Sequence, residues 1–522
     1  MARLDRSHEV GENVGSSELR RMFCQVLLLF TGLLALPALA AKWDIVTDLS
    51  VEEMYTDNLR LAPNSTKESE WITQLRPSIA IRADGPGLRF MANYSPQLVY
   101  YAQSNADTKV FHDGAASLNA ELIDQRLFVD AGARVSYANV SVQGPVTESN
   151  VNPTGNRARV ETFFVSPVLV QNFGSAARAE ARFTFSAANS NDPGSTQDST
   201  ANAVNLLLAS GPAYRVLTGD ISYFKQRIDY DDPLTSSVDS DVILANARQL
   251  IRPTVGLLVQ GGYEEYDYGA AGLASDNGSR WAVGLDWLPS PRTRLAALAG
   301  RRFFGDAYQL DFRHRTRRTT LSASYTEDVT TTRSNYFAPT ANTTAGYLDP
   351  LHCAQASDQV ACKREVGSVI SQRGLPITLG GPINSFTNRP LLEKRWLAAI
   401  AVEGVRNIVI ANVFTLDRTP LPGAVFLPGP STVEESSDEI GTSLAWNLRM
   451  SARDTWNLGA AYTRRKFPGR EDDLTSVSMG LTRQFQPRFS GSLSYRRLQN
   501  DSNLSTSEYT ENAVIGTVQI RF

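Results

Sequence analysis

The feature of this chain that most constrains its fold is an alternation of polarity that runs to the last residue. From Val514 to Phe522, apolar residues or glycine occupy every even position and polar residues occupy most odd positions. Successive side chains of a β-strand point to opposite faces, so this segment forms a strand with one face suited to lipid and the other to water. Similar segments of roughly ten residues recur along the chain, which is the pattern of a membrane β-barrel.

Aromatic residues near the ends of these segments favour lipid over a second protein layer as the cover for the apolar faces. Trp281 and Trp287 share one face and lie roughly 20 Å apart along a strand, close to the spacing of two interfacial aromatic girdles. Phe90 and Tyr100 share a face on another segment. A soluble β-sandwich would also alternate, but it gives no reason for aromatic residues to recur at strand ends.

The links between segments alternate in length. Long links such as 57–70, 139–156 and 330–390 are separated by brief ones, as in a barrel with long outer loops and short periplasmic turns. The tight link at Gly305–Asp306 falls on the long-loop side and is the exception. Counting it as a short hairpin gives about 22 strands, within a range of about 18 to 22, an even number that returns the C-terminus to the periplasm.

Charge and hydropathy exclude several other classes. Beyond the N-terminus no segment is apolar for the roughly 20 residues that a membrane helix needs. A formal net charge of -3 argues against nucleic acid as a partner, and the fixed repeats of a propeller or β-helix are absent. The sequence therefore predicts an all-β fold: a transmembrane antiparallel up-and-down β-barrel with long extracellular loops, short periplasmic turns and a hydrophilic interior.

The N-terminus is predicted to be a cleaved signal peptide with an N-terminal extension. Arg20 and Arg21 precede an apolar stretch from Met22 to Leu36, and the small residues of 37–41 follow at the cleavage positions. Residues 1–41 would be removed with Cys24, and residues 42–522 would form the barrel. Export followed by barrel insertion predicts a location in the outer membrane of a Gram-negative bacterium.

Two cysteines then remain in the long link. Cys353 and Cys362 are expected to form a disulfide because the protein is exported. Metal binding by this pair and His352 lacks a fourth ligand, so neither a metal nor a cofactor is predicted. The link that holds them, about 330–390, is too long for a simple connector. The sequence leaves open whether it plugs, constricts or caps the barrel.

Candidate catalytic residues are few, and we predict no enzyme and no catalytic residue. His112 and Asp113 occupy one predicted outer loop and could mimic an acid/base pair, but no nucleophile motif accompanies them. Lumen residues are better candidates. With Tyr308, Leu310 and Phe312 facing lipid, the residues Asp311, Arg313 and Arg315 would face the lumen or its periplasmic rim, where they could set ion selectivity.

Two motifs carry a resemblance. The segment from Leu49 to Asn58, which ends in Tyr-Thr-Asp-Asn, resembles the opening strand of β-barrel porins found with exopolysaccharide and PEP-CTERM (exosortase) systems. The terminal Val518, Ile520 and Phe522 are similar to the C-terminal signal that the barrel-assembly machinery recognises. The resemblance implies an outer-membrane barrel that works in polysaccharide production or export.

The leading hypothesis is a porin-like conduit for polar solutes linked to exopolysaccharide, with outer-membrane lipid and the barrel-assembly machinery as partners. One alternative is a surface scaffold or adhesin whose lumen is blocked by the 330–390 link. A second is an outer-membrane enzyme that acts on lipid or polysaccharide.

Overall fold

The computed structural model describes residues 41–104, 108–141, 143–147, 149–191, 198–231, 237–268, 275–337, 343–353, 390–421 and 436–522, with 362–363, 366–367, 369–370, 375–376 and 379 between them. The predicted signal peptide and Cys24 lie outside these residues.

The described residues form one closed antiparallel sheet of 22 strands. The first half comprises β1 (Lys42–Thr56), β2 (Glu70–Gly85), β3 (Leu88–Tyr94 and Gln97–Tyr101), β4 (Lys109–Phe111 and Gly114–Ile123), β5 (Leu127–Asn139), β6 (Arg157–Phe173), β7 (Ala177–Ser190), β8 (Ser199–Ser210), β9 (Leu217–Tyr230), β10 (Ser237–Arg252) and β11 (Val255–Asp267). The second half comprises β12 (Asp276–Ser290), β13 (Thr293–Arg302), β14 (Gly305–Arg315), β15 (Thr319–Thr330), β16 (Leu391–Glu403), β17 (Asn407–Pro420), β18 (Ser437–Arg449), β19 (Asp454–Phe467), β20 (Arg470–Gln486), β21 (Phe489–Ser502) and β22 (Tyr509–Arg521).

Helical structure is confined to links. The link between β15 and β16 contains α1 (Thr332–Phe337) and α2 (Thr344–His352), and its described residues 362–363, 366–367 and 369–370 are also helical. Single 3-10 turns lie at Asn64–Thr66 and Ser505–Ser507. No helix among the described residues is long and apolar enough to span a membrane.

The barrel closes where the last strand meets the first. Strand β22 pairs with β1 from Asp48↔Arg521 to Thr56↔Ala513, so the sheet has no free edge at this seam. Closure satisfies the backbone hydrogen bonds that a membrane-spanning sheet cannot leave open to lipid. The predicted fold class and strand count are confirmed.

The predicted outward faces follow the register. Trp281, Val283, Leu285 and Trp287 are all exposed, although each is apolar, and they alternate with inward residues such as Asp286. Phe90 and Tyr100 also share the outward face, opposite Ala83 and Thr73 of β2. This belt of exposed apolar side chains is the surface that a bilayer covers.

Two neighbouring strands are interrupted at the same height, which the sequence did not predict. Pro96 interrupts β3 because it has no N–H to donate to a neighbouring strand. The adjacent Ser95 N–H donates to the Asp113 carbonyl of β4 at 2.8 Å. His112 and Asp113 form the matching break in β4. Their predicted placement in an outer loop is wrong, because β4 already begins at Lys109.

The two ends of the barrel differ in the length of their links. We call the end with links 57–69, 140–156 and 331–390 the loop end, and the end with both chain termini of the barrel the turn end. The tight hairpin at Gly305 lies at the loop end, as predicted, and Gly305 has a φ of 123°. A second tight link there, at Pro468 and Gly469, was missed, and Gly469 has a φ of 76°.

Candidate functional site

The lumen is the candidate functional site, and its wall has two contrasting strands. Along each strand the register places alternate residues inward: the even-numbered residues of β17 and the odd-numbered residues of β14. On β17 every inward residue from Ile408 to Arg418 is buried, and Ile408 and Ile410 have 0% exposure. On β14 no inward residue from Gly305 to Arg315 is buried. We call β17 the covered strand and β14 the open strand.

The cover on β17 is the 331–390 link, which we call the inward loop. Its described residues share one hydrophobic core with the lumen faces of β16–β18: Tyr347, Leu348, Cys353, Val366, Ile370, Leu375 and Leu379 from the loop, and Ala399, Ala401, Ile408, Ile410 and Ala445 from the wall. The wall is apolar here because protein, not water, lies against it. The predicted hydrophilic interior is therefore wrong for this part of the lumen.

Helix α2 packs along the wall from the middle of β17 to the turn end of β16. The Thr343 hydroxyl caps its first turn by accepting a hydrogen bond from the Gly346 N–H at 3.1 Å. Asn412 of the covered strand donates to the Tyr347 hydroxyl at 3.5 Å. His352 lies 2.9 Å from Glu403, the last residue of β16 at the turn end. The described part of the loop thus lies inside the barrel and reaches its turn end, so the loop does not cap the barrel from outside.

Helix α1 reaches a different part of the wall. Arg333 is buried and donates to the Ser199 hydroxyl of β8 at 3.0 Å and to the Ser186 hydroxyl of β7 at 2.9 Å. The same guanidinium packs over the Phe337 ring, 4.7 Å from its centroid. Helix α1 directly follows β15 in the chain. These contacts therefore place the start of the inward loop across the lumen, against β7 and β8.

The structure places Cys353 and Cys362 in a disulfide, with their Cα atoms 5.6 Å apart. Cys353 is buried in the core that the loop shares with the wall, and Cys362 packs against that core. The bond therefore closes a short loop at the C-terminal end of α2, next to the His352–Glu403 contact.

A second link also folds inward. Asn152 of link 140–156 donates to Leu59 O and to Glu511 Oε1, each at 3.0 Å. The Tyr101 hydroxyl donates to Val151 O at 2.8 Å. These contacts narrow the loop end beside β1, β3 and β22.

A polar ladder runs along the wall from β9 to β15. Asn246 donates to Asp220 at 2.8 Å, Gln260 donates to Asn246 at 2.8 Å, and Arg280 donates to Gln260 at 3.0 Å. Nearer the loop end, the Arg302 guanidinium lies 2.6 Å from the Glu264 carboxylate and 3.1 Å from the Asp328 carboxylate. Glu264 and Arg302 are buried, and a paired, hydrogen-bonded arrangement is what buried charges require.

The predicted selectivity residues lie on the open strand. Asp311 stands opposite Ala296 and Arg313 opposite Arg294, both on the lumen side of β13. Asp311 and Arg313 are exposed and Arg315 is half-buried. In the part of the chain that the structure describes, none of the three has an ion-pair partner. They are placed where the sequence predicted, and their role in selectivity stays a prediction.

The remaining predicted residues lie away from the lumen. Val518, Ile520 and Phe522 point outward and are exposed, and their role in assembly stays a prediction. His112 Nδ1 lies 2.7 Å from the Tyr94 hydroxyl, an outward residue. Among the described residues, no three His, Cys, Asp or Glu side chains converge as a metal site would require.

The covered strand was missed by sequence reasoning, although it carries a signal. The stretch from Ile408 to Leu416 is apolar at nearly every position, inward and outward. A strand that is buried on both faces loses the alternation of polarity. This loss marks β17 as lined by protein on one side and by lipid on the other.

No protein-family model matches the chain, and no curated protein matches it in sequence. Among solved structures it is similar to the siderophore receptor PirA from Acinetobacter baumannii, with 9% identity, a TM-score of 0.43, and coverage of 91% of this chain and 80% of that one. It is also similar to OccK2 (OpdF) from Pseudomonas aeruginosa, with 8% identity, a TM-score of 0.33, and coverage of 92% and 98%. A loop L8 deletion mutant of OmpT, an outer membrane protein of Vibrio cholerae, matches with 7% identity, a TM-score of 0.32, and coverage of 92% and 100%. At identities this low the similarity concerns the fold alone. No ligand of these proteins is therefore assigned to this chain.

Proposed function

We propose that the protein is a restricted conduit for small polar solutes across the outer membrane of a Gram-negative bacterium. The inward loop occupies the side of the lumen along β16–β18, and the solute path runs beside the open strand. Passage depends on the charged side chains that line this path.

The observation that carries the proposal is the exposure of the inward residues of β14. Gln309, Asp311 and Arg313 follow one another on the lumen face, and all three are exposed. The hairpin that joins β13 to β14 at the loop end is tight, so no long loop extends the barrel wall at this point. Water that enters over this part of the rim meets alternating polar and charged groups, as in the lumen of a porin.

We extend the proposal to exopolysaccharide production or export. Its support is the resemblance of Leu49 to Asn58 to barrels of such systems. Deleting the gene from the host bacterium would then reduce secreted polysaccharide, and an inward-facing charge variant such as Arg313→Gln would change the amount less than the deletion. Unchanged polysaccharide in the deletion strain would remove this extension and leave the conduit proposal standing.

Conduction is tested in planar bilayers with the folded barrel, using KCl. A conduit gives stable, voltage-tolerant current, and liposomes that hold it swell in small neutral sugars faster than in large ones. A gel band that shifts on heating confirms folding before each recording. A folded barrel that carries no current and does not swell liposomes would contradict the conduit.

The second candidate function is a scaffold or adhesin with a blocked lumen. It is favoured by the contacts of Arg333, which bring α1 across to β7 and β8. Removing residues 332–382, which include α1 and α2, separates the two functions. A blocked barrel is silent in bilayers until the segment is removed, whereas a conduit conducts before the removal and more strongly after it.

A further inference from the structure

Three lumen-facing arginines, on strands β10, β13 and β14, gather around one carboxylate. Asp286 of β12 has a side chain that is only 3% exposed, and it is contacted by Arg248 Nε at 2.7 Å and by Arg294 Nε at 3.2 Å. In both arginines the atom that contacts this carboxylate is Nε. Within the described structure their terminal nitrogens have no partner, and they face the lumen.

Arg313 adds a third guanidinium to the group. It stands directly opposite Arg294 in the register of β13 and β14, on the same face. Like charges directly opposite each other in a sheet repel and destabilise the pairing. Among the residues that the structure describes, neither Asp311 nor Asp220 forms an ion pair with these arginines, so Asp286 alone contacts the group and the Arg294–Arg313 repulsion is not offset. An anion held between the arginines would relieve the repulsion.

The geometry around Asp286 holds the arginines in place. A guanidinium fixed through Nε presents its two terminal nitrogens as a planar pair of donors, which matches the oxygens of a carboxylate or phosphate. Gly256 makes room for this arrangement, because a Cβ at that position would lie 3.1 Å from Arg248 Nε. The buried Asp286 therefore acts as a positioning residue for both arginines.

A concave part of the wall adjoins the arginines. It is lined on the lumen side by Arg248, Asp220, Asn246 and Gln260, and by the half-buried Leu258 and Leu298. Hydrogen-bonding groups and apolar carbons side by side suit a small molecule that carries hydroxyl groups on a carbon skeleton.

We propose that Arg248 and Arg294, positioned by Asp286, form together with Arg313 a binding site for the oxyanion of a small carboxylate- or phosphate-bearing solute. The site names the class of solute that the proposed conduit selects, and so it rests on that proposal for its physiological role. Binding itself does not require conduction and is measured separately.

The test is isothermal titration calorimetry of the full barrel in non-ionic detergent with three probes: glucuronate, glucose 6-phosphate and glucose. At least one charged sugar should bind more tightly than glucose, and the preferred one identifies carboxylate or phosphate as the natural group. Equal binding of all three sugars, or none, would overturn the site.

Variants separate a built site from a diffuse positive charge. Arg294→Gln should weaken anion binding by at least about tenfold, the effect of losing a charge-assisted hydrogen bond. The matched control is Arg134→Gln, which removes an exposed lumen arginine of β5 that lies outside the cluster, and it should change binding by less than about twofold. Equal losses in the two variants would contradict the site.

Asp286→Asn gives the sharpest distinction, because it makes the lumen more positive while it releases both arginines. A positioned site predicts weaker anion binding, whereas diffuse electrostatics predicts stronger binding. If this variant does not fold, Arg294→Gln decides the matter, since the Arg294 side chain is 58% exposed. A barrel that conducts but does not bind anions overturns this site alone, and one that binds anions without conducting overturns the conduit alone.

Discussion

The open strand β14 and the covered strand β17 present similar surfaces to lipid and opposite surfaces to the lumen. Outward, β14 carries Tyr308 and Leu310, and β17 carries Val409 and Val413. Inward, β14 carries charged side chains exposed to water, whereas β17 carries isoleucines with no exposure. The lipid-facing side of a strand is therefore fixed by the membrane, and its inward side is fixed by what the rest of the chain places in the lumen.

The difference between the two strands also decides where a solute can pass. An apolar wall exposed to water would cost roughly 25 cal/mol for each Å² uncovered, so the inward loop is held against β17 by the same effect that holds a protein core together. The polar wall beside β14 has no such penalty and needs no cover. Solutes and water are accordingly expected on the side of β14.

The largest expected effect is that of removing residues 332–382, which include every residue of the loop in the core shared with Ile408 and Ile410. The barrel should lose the cover on Ile408 and Ile410, conduct several times more current and unfold at a lower temperature. Bilayer recordings and heat-dependent gel migration measure both changes. An unchanged conductance would mean that the segment does not occupy the conducting path.

Single truncations in the two apolar environments should differ in cost. Ile410→Ala leaves a cavity between the wall and the inward loop and should destabilise the barrel by about 2–5 kcal/mol. Ile400→Ala, on the lipid face of the neighbouring β16 and 36% exposed, should cost about 1 kcal/mol, because lipid chains refill the space. Unfolding in denaturant measures the difference. Equal costs would show that β17 is not covered.

Loss of the disulfide should have a smaller effect, confined to the inward loop. Opening a ring of this size removes about 2–3 kcal/mol of loop-closure stabilisation. The double variant Cys353→Ser, Cys362→Ser should keep the barrel folded, while protease cleaves the inward loop faster than in wild type. Reduction of the wild-type protein with dithiothreitol should reproduce the result. A loss of heat-resistant folding would instead assign the disulfide to the barrel itself.

The smallest expected effects are those of single charges on the open strand. Arg313→Gln should lower the permeability of anions relative to cations by about twofold, and Asp311→Asn should raise it by a similar factor. Arg317→Gln, which removes an exposed charge from the turn at 316–318, is the matched control and should leave selectivity unchanged. Reversal potentials in a KCl gradient measure these shifts, and shifts of the same sign for Arg313 and Asp311 variants would contradict the lumen position.

Outward positions could be predicted from the sequence because lipid imposes one rule on every strand. Trp281 and Trp287 therefore fell on the correct face, and the strand count followed from the alternation of links. Inward positions obey no single rule, since water lies against Arg313 but Tyr347 and Leu348 lie against the wall of β16–β18. The length of the 331–390 link was visible in the sequence, but its path through the lumen depends on contacts between residues far apart in the chain.

The site around Asp286 was beyond sequence reasoning for a similar reason. Arg248 and Arg294 lie on strands separated by β11 and β12, and no local motif connects them. Only the register brings both guanidinium groups to one carboxylate. Asp311 and Arg313, by contrast, lie on one strand, where alternation alone assigns their face.

The most direct test of the central claim is the accessibility of two engineered cysteines to a charged, membrane-impermeant maleimide in the folded barrel. Gln309→Cys lies on the lumen face of the open strand, and Ser443→Cys lies on the lumen face of β18 under the cover of protein. We expect rapid labelling at position 309, and labelling at position 443 only after residues 332–382 are removed. Equal labelling of the two positions in the intact barrel would contradict the central claim.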